Sequence, residues 1–224
     1  MCGIAKAKFK QSNLNRYQQL NVIINILSET KLPITAIMIK KIILASQSPR
    51  RKQLLEWAEI PFDIIIQSTD ESYPANLSVE ETAVHIARNK ALAIKQIHKT
   101  KEPILAADTI VVLNNEIIGK PKDREDAISI LTKLSGQKHA VLTGVVILHD
   151  DKEIAFADTT AVEFHSITNE QIIFYVDKYK PYDKAGAYAI QEWIGVVGIK
   201  SVVGDFYNVM GLPVSRVVQV LSKL

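Results

Sequence analysis

Two arginines stand at the start of a predicted helix that directly follows a predicted strand. The segment reads Ser46-Gln-Ser-Pro-Arg-Arg51, in which Ser48 is typical of an N-cap and Pro49 of the first helical position. A helix N-terminus binds phosphate readily, because its first N–H groups are unpaired and carry partial positive charge. Arginines there oppose the helix dipole unless an anion neutralises them, and arginine also forks onto phosphate oxygens. The pattern favours a phosphate site at Arg50 and Arg51, and the alternative is two solvent-exposed side chains.

A single carboxylate interrupts an apolar stretch that otherwise predicts strand structure. Asp108 lies between Ile104–Ala107 and Thr109–Leu113. Burying a carboxylate is costly unless it is paired or bound to a metal. Together with Glu71, from an acidic loop, Asp108 could hold Mg²⁺ or orient a water molecule. The alternative is that Asp108 only caps a turn.

Two lysines occupy positions at which an anion would be a suitable partner. Lys90 falls on the apolar stripe of a predicted helix, so its ammonium group either reaches water along its stem or meets an anion. Lys120 follows a predicted strand in the rigid turn Gly119-Lys-Pro121, which suits a phosphate and also suits solvent.

Small residues surround polar ones in the segment from Asp183 to Gln191. Glycine and alanine allow a backbone to approach a flat ligand, and the Gln191 amide could read the edge of a base through one donor and one acceptor. A turn-rich connector would explain the same residues.

The elements that must position these side chains follow an α/β pattern with both hairpins and crossovers, which predicts a mixed sheet. Strands are expected at Lys41–Ala45, Phe62–Gln67, Ile104–Ala107, Thr109–Leu113, Glu116–Gly119, Ala140–Leu148 and Glu153–Phe164, with further strands in the glycine-rich segment after Asp183. Helices are expected after Ser48, after the capping boxes at Ser78 and Thr168, after Asp123, and over Pro213–Lys223.

Composition narrows the class of protein. The 224 residues are 47% hydrophobic with a net charge of +3, which fits one folded domain and disfavours a basic nucleic-acid binder. Cys2 is the only cysteine, so we expect a reducing cytoplasm and no intrachain disulfide. No apolar run approaches the roughly 18 residues of a membrane span, so we expect no membrane association. Residues 1–37 differ in composition and are interpreted as an extension before a domain at 38–224, or alternatively as an extra helix that packs on the domain or on a partner.

Taken together, these segments resemble the Maf family of nucleotide pyrophosphatases from about Ile42 to the C-terminus. The motifs that carry the resemblance are Leu-Ala-Ser-Gln-Ser-Pro-Arg-Arg (44–51), Ala-Asp-Thr (107–109), Gly-Lys-Pro (119–121), Leu-Ser-Gly-Gln-Lys-His (134–139), Asp-Lys-Ala-Gly-Ala-Tyr (183–188) and Gly-Leu-Pro (211–213). The resemblance implies an α/β fold with a mixed twisted sheet, flanking helices and two lobes around a cleft, similar to inosine triphosphate pyrophosphatases. It also implies a homodimer.

The resemblance further implies an activity and roles for particular residues. The reaction is metal-dependent hydrolysis of a nucleoside triphosphate to the monophosphate and pyrophosphate, with Mg²⁺ or Mn²⁺ as cofactor. Asp108 matches the family's catalytic acidic residue, and with Glu71 it is expected to hold the metal. The residues expected to bind substrate are Ser46, Arg50, Arg51, Lys90, Thr109, Lys120 and Gln191.

The expected substrates are dTTP and UTP, or modified pyrimidine nucleotides, because that branch of the family carries matches to Thr109 and Gln191. One departure concerns the base site: the branch reads Gly-Ile-Gln-Gly where this chain reads Ala189-Ile-Gln-Glu192. An alternative of another class is a non-catalytic nucleotide-binding regulator of septum formation and cell division, which would need no metal-dependent turnover.

Overall fold

Seven strands form one mixed sheet in the part of the chain that this computed structural model describes, residues 39–224. The expected extension at residues 1–37 lies outside the described residues. The strands are β1 (Ile42–Leu44), β2 (Phe62–Ile64), β3 (Ile104–Leu113), β4 (Glu116–Ile118), β5 (Lys138–His149), β6 (Lys152–Phe164) and β7 (Ile199–Val203). The helices are α1 (Pro49–Trp57), α2 (Val79–Ile97), α3 (Arg124–Leu134), α4 (Asn169–Tyr179), α5 (Trp193–Gly198), α6 (Phe206–Met210) and α7 (Val214–Leu221).

The sheet combines parallel and antiparallel pairs, which confirms the expected mixed α/β fold. Its strand order is β2-β1-β3-β5-β6-β7, with β4 added to β3 as a hairpin. β1 runs parallel to both β2 and β3, and the remaining pairs are antiparallel. Parallel pairs need a crossover connection, and α1 and α2 lie in the connections that lead from β1 to β2 and from β2 to β3.

Buried side chains alternate along the central strands and build two separate cores. In β1, Ile42 and Leu44 belong to the larger core, whereas Ile43 belongs to a smaller one with α2. Successive side chains of a strand point to opposite faces, so helices cover the sheet on both sides. Within the described residues, no helix is long and apolar enough to cross a bilayer.

Most of the helix starts follow the predicted capping chemistry. Ser78 and Thr168 each form a complete capping box, and the Asp123 side chain accepts from the Asp126 backbone N–H. Each cap satisfies N–H groups that have no partner inside the helix. Ser48 occupies the N-cap of α1 as predicted, yet its side chain makes no capping bond.

Helix α2 lies directly on the sheet at Gly144 of β5. A Cβ atom at Gly144 would come within 2.3 Å of the Ala83 carbonyl carbon, so only glycine fits between strand and helix. Gly144 pairs with Asp108 in the β3–β5 register. The close contact therefore brings the helix that carries Lys90 down onto the strand that carries Asp108.

The prediction of further strands in the glycine-rich segment is confirmed for one strand alone. Only Ile199–Val203 is a strand, and the rest folds as a 3₁₀ turn at Ala185–Ala187 and as the short helices α5 and α6. A Cβ atom at Gly195 would lie 1.7 Å from the Ile190 carbonyl oxygen. This tight approach of two backbone segments overrides the strand preference of the neighbouring valines. Similarly, the two strands predicted around Asp108 are one continuous strand, β3.

Candidate active site

A cavity of about 410 Å³ opens where β1 ends, beside β3 and the C-terminal segment. This volume falls in the range of small-molecule sites. The cavity brings together eight of the nine residues singled out in the sequence: Ser46, Arg50, Arg51, Glu71, Lys90, Asp108, Thr109 and Lys120. Residues predicted from separate motifs are thus neighbours in space.

Arg51 is a buried cation whose hydrogen-bond partners in the described part of the chain are all neutral oxygen atoms. Its Nε donates to the Gly211 carbonyl oxygen at 2.7 Å, and Nη1 and Nη2 donate to the hydroxyls of Ser46 and Thr109 at 3.0 Å each. No salt bridge within residues 39–224 involves Arg51. Burial lowers its pKa to about 10, so the guanidinium is charged at neutral pH. The carboxylates of Asp108 and Glu71 offset this buried charge only through longer-range attraction.

The geometry around Arg51 depends on Gly211. Gly211 ends α6 with a φ of 117°, a left-handed conformation that non-glycine residues rarely adopt. In this conformation its carbonyl oxygen accepts the Arg51 Nε–H. A guanidinium has five N–H donors, and the three bonds described use three, which leaves two for a ligand.

Arg50 lines the cavity beside Arg51 in the first turn of α1. Its Nη1 donates to Asp183 Oδ2 at 2.8 Å. The Ser48 side chain accepts no hydrogen bond from the backbone N–H groups in the first turn of α1. The helix start therefore adds partial positive charge next to two guanidinium groups.

Lys90 bridges the two carboxylates that were predicted to bind a metal. Its Nζ lies 2.7 Å from Glu71 Oε1 and 2.7 Å from Asp108 Oδ1. The hydrogen bond from Lys90 holds the pKa of Glu71 below its ordinary value, and the nearby charges of Lys120 and Arg51 lower it further. Of the two alternatives for Lys90, solvent exposure or an anionic partner, the structure shows the anionic partner.

Lys120 lies on the same cavity and is anchored through its neighbour. The Gly119 carbonyl oxygen accepts from the Gly186 N–H at 3.1 Å, which ties the turn to the segment around Asp183. Gly186 has a φ of 70°, and a Cβ atom there would lie 3.0 Å from the Val111 side chain. A glycine is therefore needed where this segment crosses β3.

Gln191 is the one predicted site residue that does not line the cavity. Its side chain is exposed, and it lies two residues before the start of α5. The Thr109 hydroxyl, predicted to discriminate bases, accepts from Arg51 and also lies 3.0 Å from the Thr143 hydroxyl. The roles of both residues in base recognition stay predictions.

Three polar residues of the Asp-Lys-Ala-Gly-Ala-Tyr motif line the cavity without having been assigned a role there: Asp183, Lys184 and Tyr188. Burial opposes ionisation of Asp183, but hydrogen bonds from Lys184 and Arg50 outweigh it and lower the pKa of the carboxyl. The Tyr188 hydroxyl lies 2.7 Å from Nε2 of buried His139. The motif was visible in the sequence, but nothing in it indicates which of its polar side chains turn inward.

The lining carries five cations (Arg50, Arg51, Lys90, Lys120, Lys184) and three carboxylates (Glu71, Asp108, Asp183), a net charge of +2. This excess suits a polyanion. Among the described residues, no group of three or more His, Cys, Asp and Glu side chains forms a preassembled metal site. A pair such as Glu71 and Asp108 nevertheless fits Mg²⁺, which commonly takes one or two carboxylates and completes its shell with water and substrate phosphates.

Comparison with known proteins gives one consistent family. Residues 41–224 match the family described as "Maf-like protein". Proteins named dTTP/UTP pyrophosphatase are similar in Parabacteroides distasonis (48% identity, 81% of this chain and 95% of that one) and in Cytophaga hutchinsonii (49% identity, 82% and 84%). Among solved structures, the Staphylococcus aureus Ham1 protein is similar at a TM-score of 0.40 and 20% identity, over 70% of this chain and 91% of that one.

Proposed function

The chain belongs to the Maf-like protein family, and from this premise we propose that it is a nucleoside triphosphate pyrophosphatase. The proposed reaction converts a nucleoside triphosphate and water to the monophosphate and pyrophosphate. The curated relatives are named for this reaction with dTTP and UTP. The alternative of a non-catalytic regulator of cell division is not favoured by these relatives.

The proposal rests on the burial of Arg51 and on the neutral character of its hydrogen-bond partners. A buried guanidinium that, among residues 39–224, bonds only to neutral oxygen atoms, in a cavity with a net positive lining, is organised for an anionic ligand. Its planar N–H groups suit phosphate oxygens in particular.

In the proposed mechanism, Asp108 orients a water molecule and accepts its proton. The water oxygen forms a bond to the α-phosphorus while the bond from that phosphorus to the α–β bridging oxygen breaks. Pyrophosphate leaves with the electron pair of the broken bond. Lys90 donates to the Asp108 carboxylate at 2.7 Å and so fixes its orientation. Such positioning and charge placement supply most of the rate acceleration in phosphoryl chemistry.

The cations of the cavity are proposed to bind the phosphates. Arg50, Arg51 and Lys120 line it from two separate segments, so they can contact different phosphates of one triphosphate. The start of α1 contributes its N–H groups to the same site. The developing charge on pyrophosphate is thereby balanced as it leaves.

Glu71 and Asp108 are the residues that would hold Mg²⁺ or Mn²⁺. Such an ion, when bound, polarises phosphoryl oxygens and neutralises part of the triphosphate charge. Both carboxylates line the cavity, and Lys90 contacts both. The contact of the Lys90 ammonium group with both carboxylates supports the proposal that the pair can share one cation.

The test is pyrophosphate release from a panel of NTPs and dNTPs with Mg²⁺, with Mn²⁺ and with EDTA. We expect release from dTTP and UTP that requires a metal and stops on addition of EDTA. Turnover of purine nucleotides instead would agree with the proposed reaction but overturn the proposed preference for pyrimidine nucleotides. No turnover of any nucleotide would overturn the proposal.

Base preference is proposed to depend on Gln191, with Thr109 acting from within the cavity. Since Gln191 is exposed and outside the lining, its role requires that a bound base extend toward α5. We expect Gln191→Ala to reduce the ratio of UTP to GTP turnover about tenfold, the size of one lost donor–acceptor pair. The measurement is kcat/KM for both nucleotides, with Gln219→Ala on α7 as the control. An unchanged ratio would remove Gln191 from base recognition.

Two further properties are proposed, the first from the family likeness and the second from the single cysteine and the small net charge. They are a homodimeric assembly and a cytoplasmic location without a nucleic-acid partner. Light scattering of the purified protein tests the dimer, and a monomer mass at micromolar concentration would refute it.

A further inference from the structure

The Asp183 carboxylate occupies two cations of the cavity at once. Its Oδ2 accepts from Arg50 Nη1 and its Oδ1 accepts from Lys184 Nζ, both at 2.8 Å. Arg50 and Lys184 both line the cavity. A bound phosphate group would likewise offer anionic oxygen atoms to these two cationic donors.

Asp183 is not a buried structural carboxylate. Its side chain is 53% exposed, whereas the side chains of Arg50 and Lys184 are 19% and 9% exposed. The two cations are thus fixed in the wall, and the carboxylate covers them from the open side. A half-exposed carboxylate can move into water at little cost.

Lys184 also contacts a second carboxylate, that of Glu192. Its Nζ lies 3.5 Å from Glu192 Oε1, and Glu192 also accepts from the hydroxyl of buried Tyr175. Lys184 therefore keeps a carboxylate partner when Asp183 moves away. Arg50, in contrast, has Asp183 as its only salt-bridge partner within residues 39–224.

We propose that Asp183 is an internal competitor of the substrate, whose carboxylate covers Arg50 and Lys184 in the nucleotide-free protein and is displaced by a phosphate group. This inference rests on the proposed function, since it requires a polyphosphate ligand. Asp183 then lowers the affinity for both triphosphate and pyrophosphate. Weaker binding of pyrophosphate hastens release of the product, and weaker binding of substrate raises KM.

The test is calorimetric binding of inorganic pyrophosphate to the wild-type protein and to Asp183→Asn. Asparagine keeps the shape but lacks the charge, so we expect pyrophosphate to bind about tenfold more tightly. Glu192→Gln is the matched control. It removes a charge from the same network but leaves Asp183 on Arg50, so we expect a change of less than about twofold. Equal gains in both variants would overturn the proposal, because they would reflect net charge alone.

A double-mutant cycle tests whether the effect passes through Arg50. In an Arg50→Gln background, we expect Asp183→Asn to lose most of its tenfold gain. A gain that persists in full would mean that Asp183 does not act on Arg50. Binding to wild type with no gain in Asp183→Asn would overturn the competitor role alone. Absence of binding by every variant would overturn the proposed function as well.

Discussion

Asp108→Asn is expected to lower kcat by at least about 100-fold while the protein stays folded. The substitution removes a proton acceptor and one of the two carboxylates proposed for the metal, with almost no change of shape. Lys90 keeps its contact with Glu71 at 2.7 Å, so the loss does not leave an unpaired ammonium group. The strand that carries Asp108 pairs with β5 through backbone hydrogen bonds, in which the Asp108 side chain takes no part.

The measurement is steady-state pyrophosphate release, with a thermal melt to establish folding. Asp158→Asn is a matched control, because Asp158 lies on β6 near Arg216 and does not line the cavity. We expect that control to turn over like the wild type. If Asp108→Asn also did so, Asp108 would have no part in the chemistry.

Arg51→Met is expected to lower kcat for pyrophosphate release by about 100- to 1,000-fold, with little effect on the stability of the fold. Methionine fills a similar volume without a charge. The buried guanidinium stabilises the nucleotide-free protein only weakly, because its desolvation offsets its three hydrogen bonds. The Thr109 hydroxyl keeps a partner in Thr143, whereas the Gly211 carbonyl loses its strongest donor. We therefore expect the free energy of unfolding to change by less than about 2 kcal/mol.

Two readouts separate function from stability in this variant. Pyrophosphate should raise the melting temperature of the wild type, as any ligand of the native state does, but not that of Arg51→Met. Arg216→Met serves as the control, because Arg216 is exposed on α7 and packs on Phe156. A variant that unfolds at room temperature would show that Arg51 is a structural residue first. Full activity would exclude it from phosphate binding.

Local chemistry explains which elements could be predicted from the sequence. The capping boxes at Ser78 and Thr168 are complete within a few residues, and the structure contains both. The segment after Asp183 could not be predicted in the same way. Its course depends on contacts such as Gly186 against Val111, which lie far apart in the sequence and meet only after the chain has folded.

The same distinction applies to the site. Arg50 and Arg51 stand out because charged residues at a helix start conflict with the dipole, and Lys90 because it lies on an apolar face. The sequence could not show that Arg51 forms no salt bridge with the described carboxylates, or that Asp183 covers Arg50 across 133 residues. Gln191 illustrates the reverse case, because a motif match gave it a role in binding while its side chain is exposed and outside the cavity.

The bond between Arg51 and Gly211 joins residues 160 positions apart. Chains are synthesised from the N-terminus, and earlier segments begin to fold first. On the ribosome, Lys90 and Asp108 are made only 18 residues apart and can meet early. Arg51 cannot form its bond to Gly211 until Gly211 has been synthesised. A nascent chain in which Lys90 already contacts Asp108 therefore still lacks part of the phosphate site. The proposed nucleotide hydrolysis therefore requires a chain that has been synthesised past Gly211.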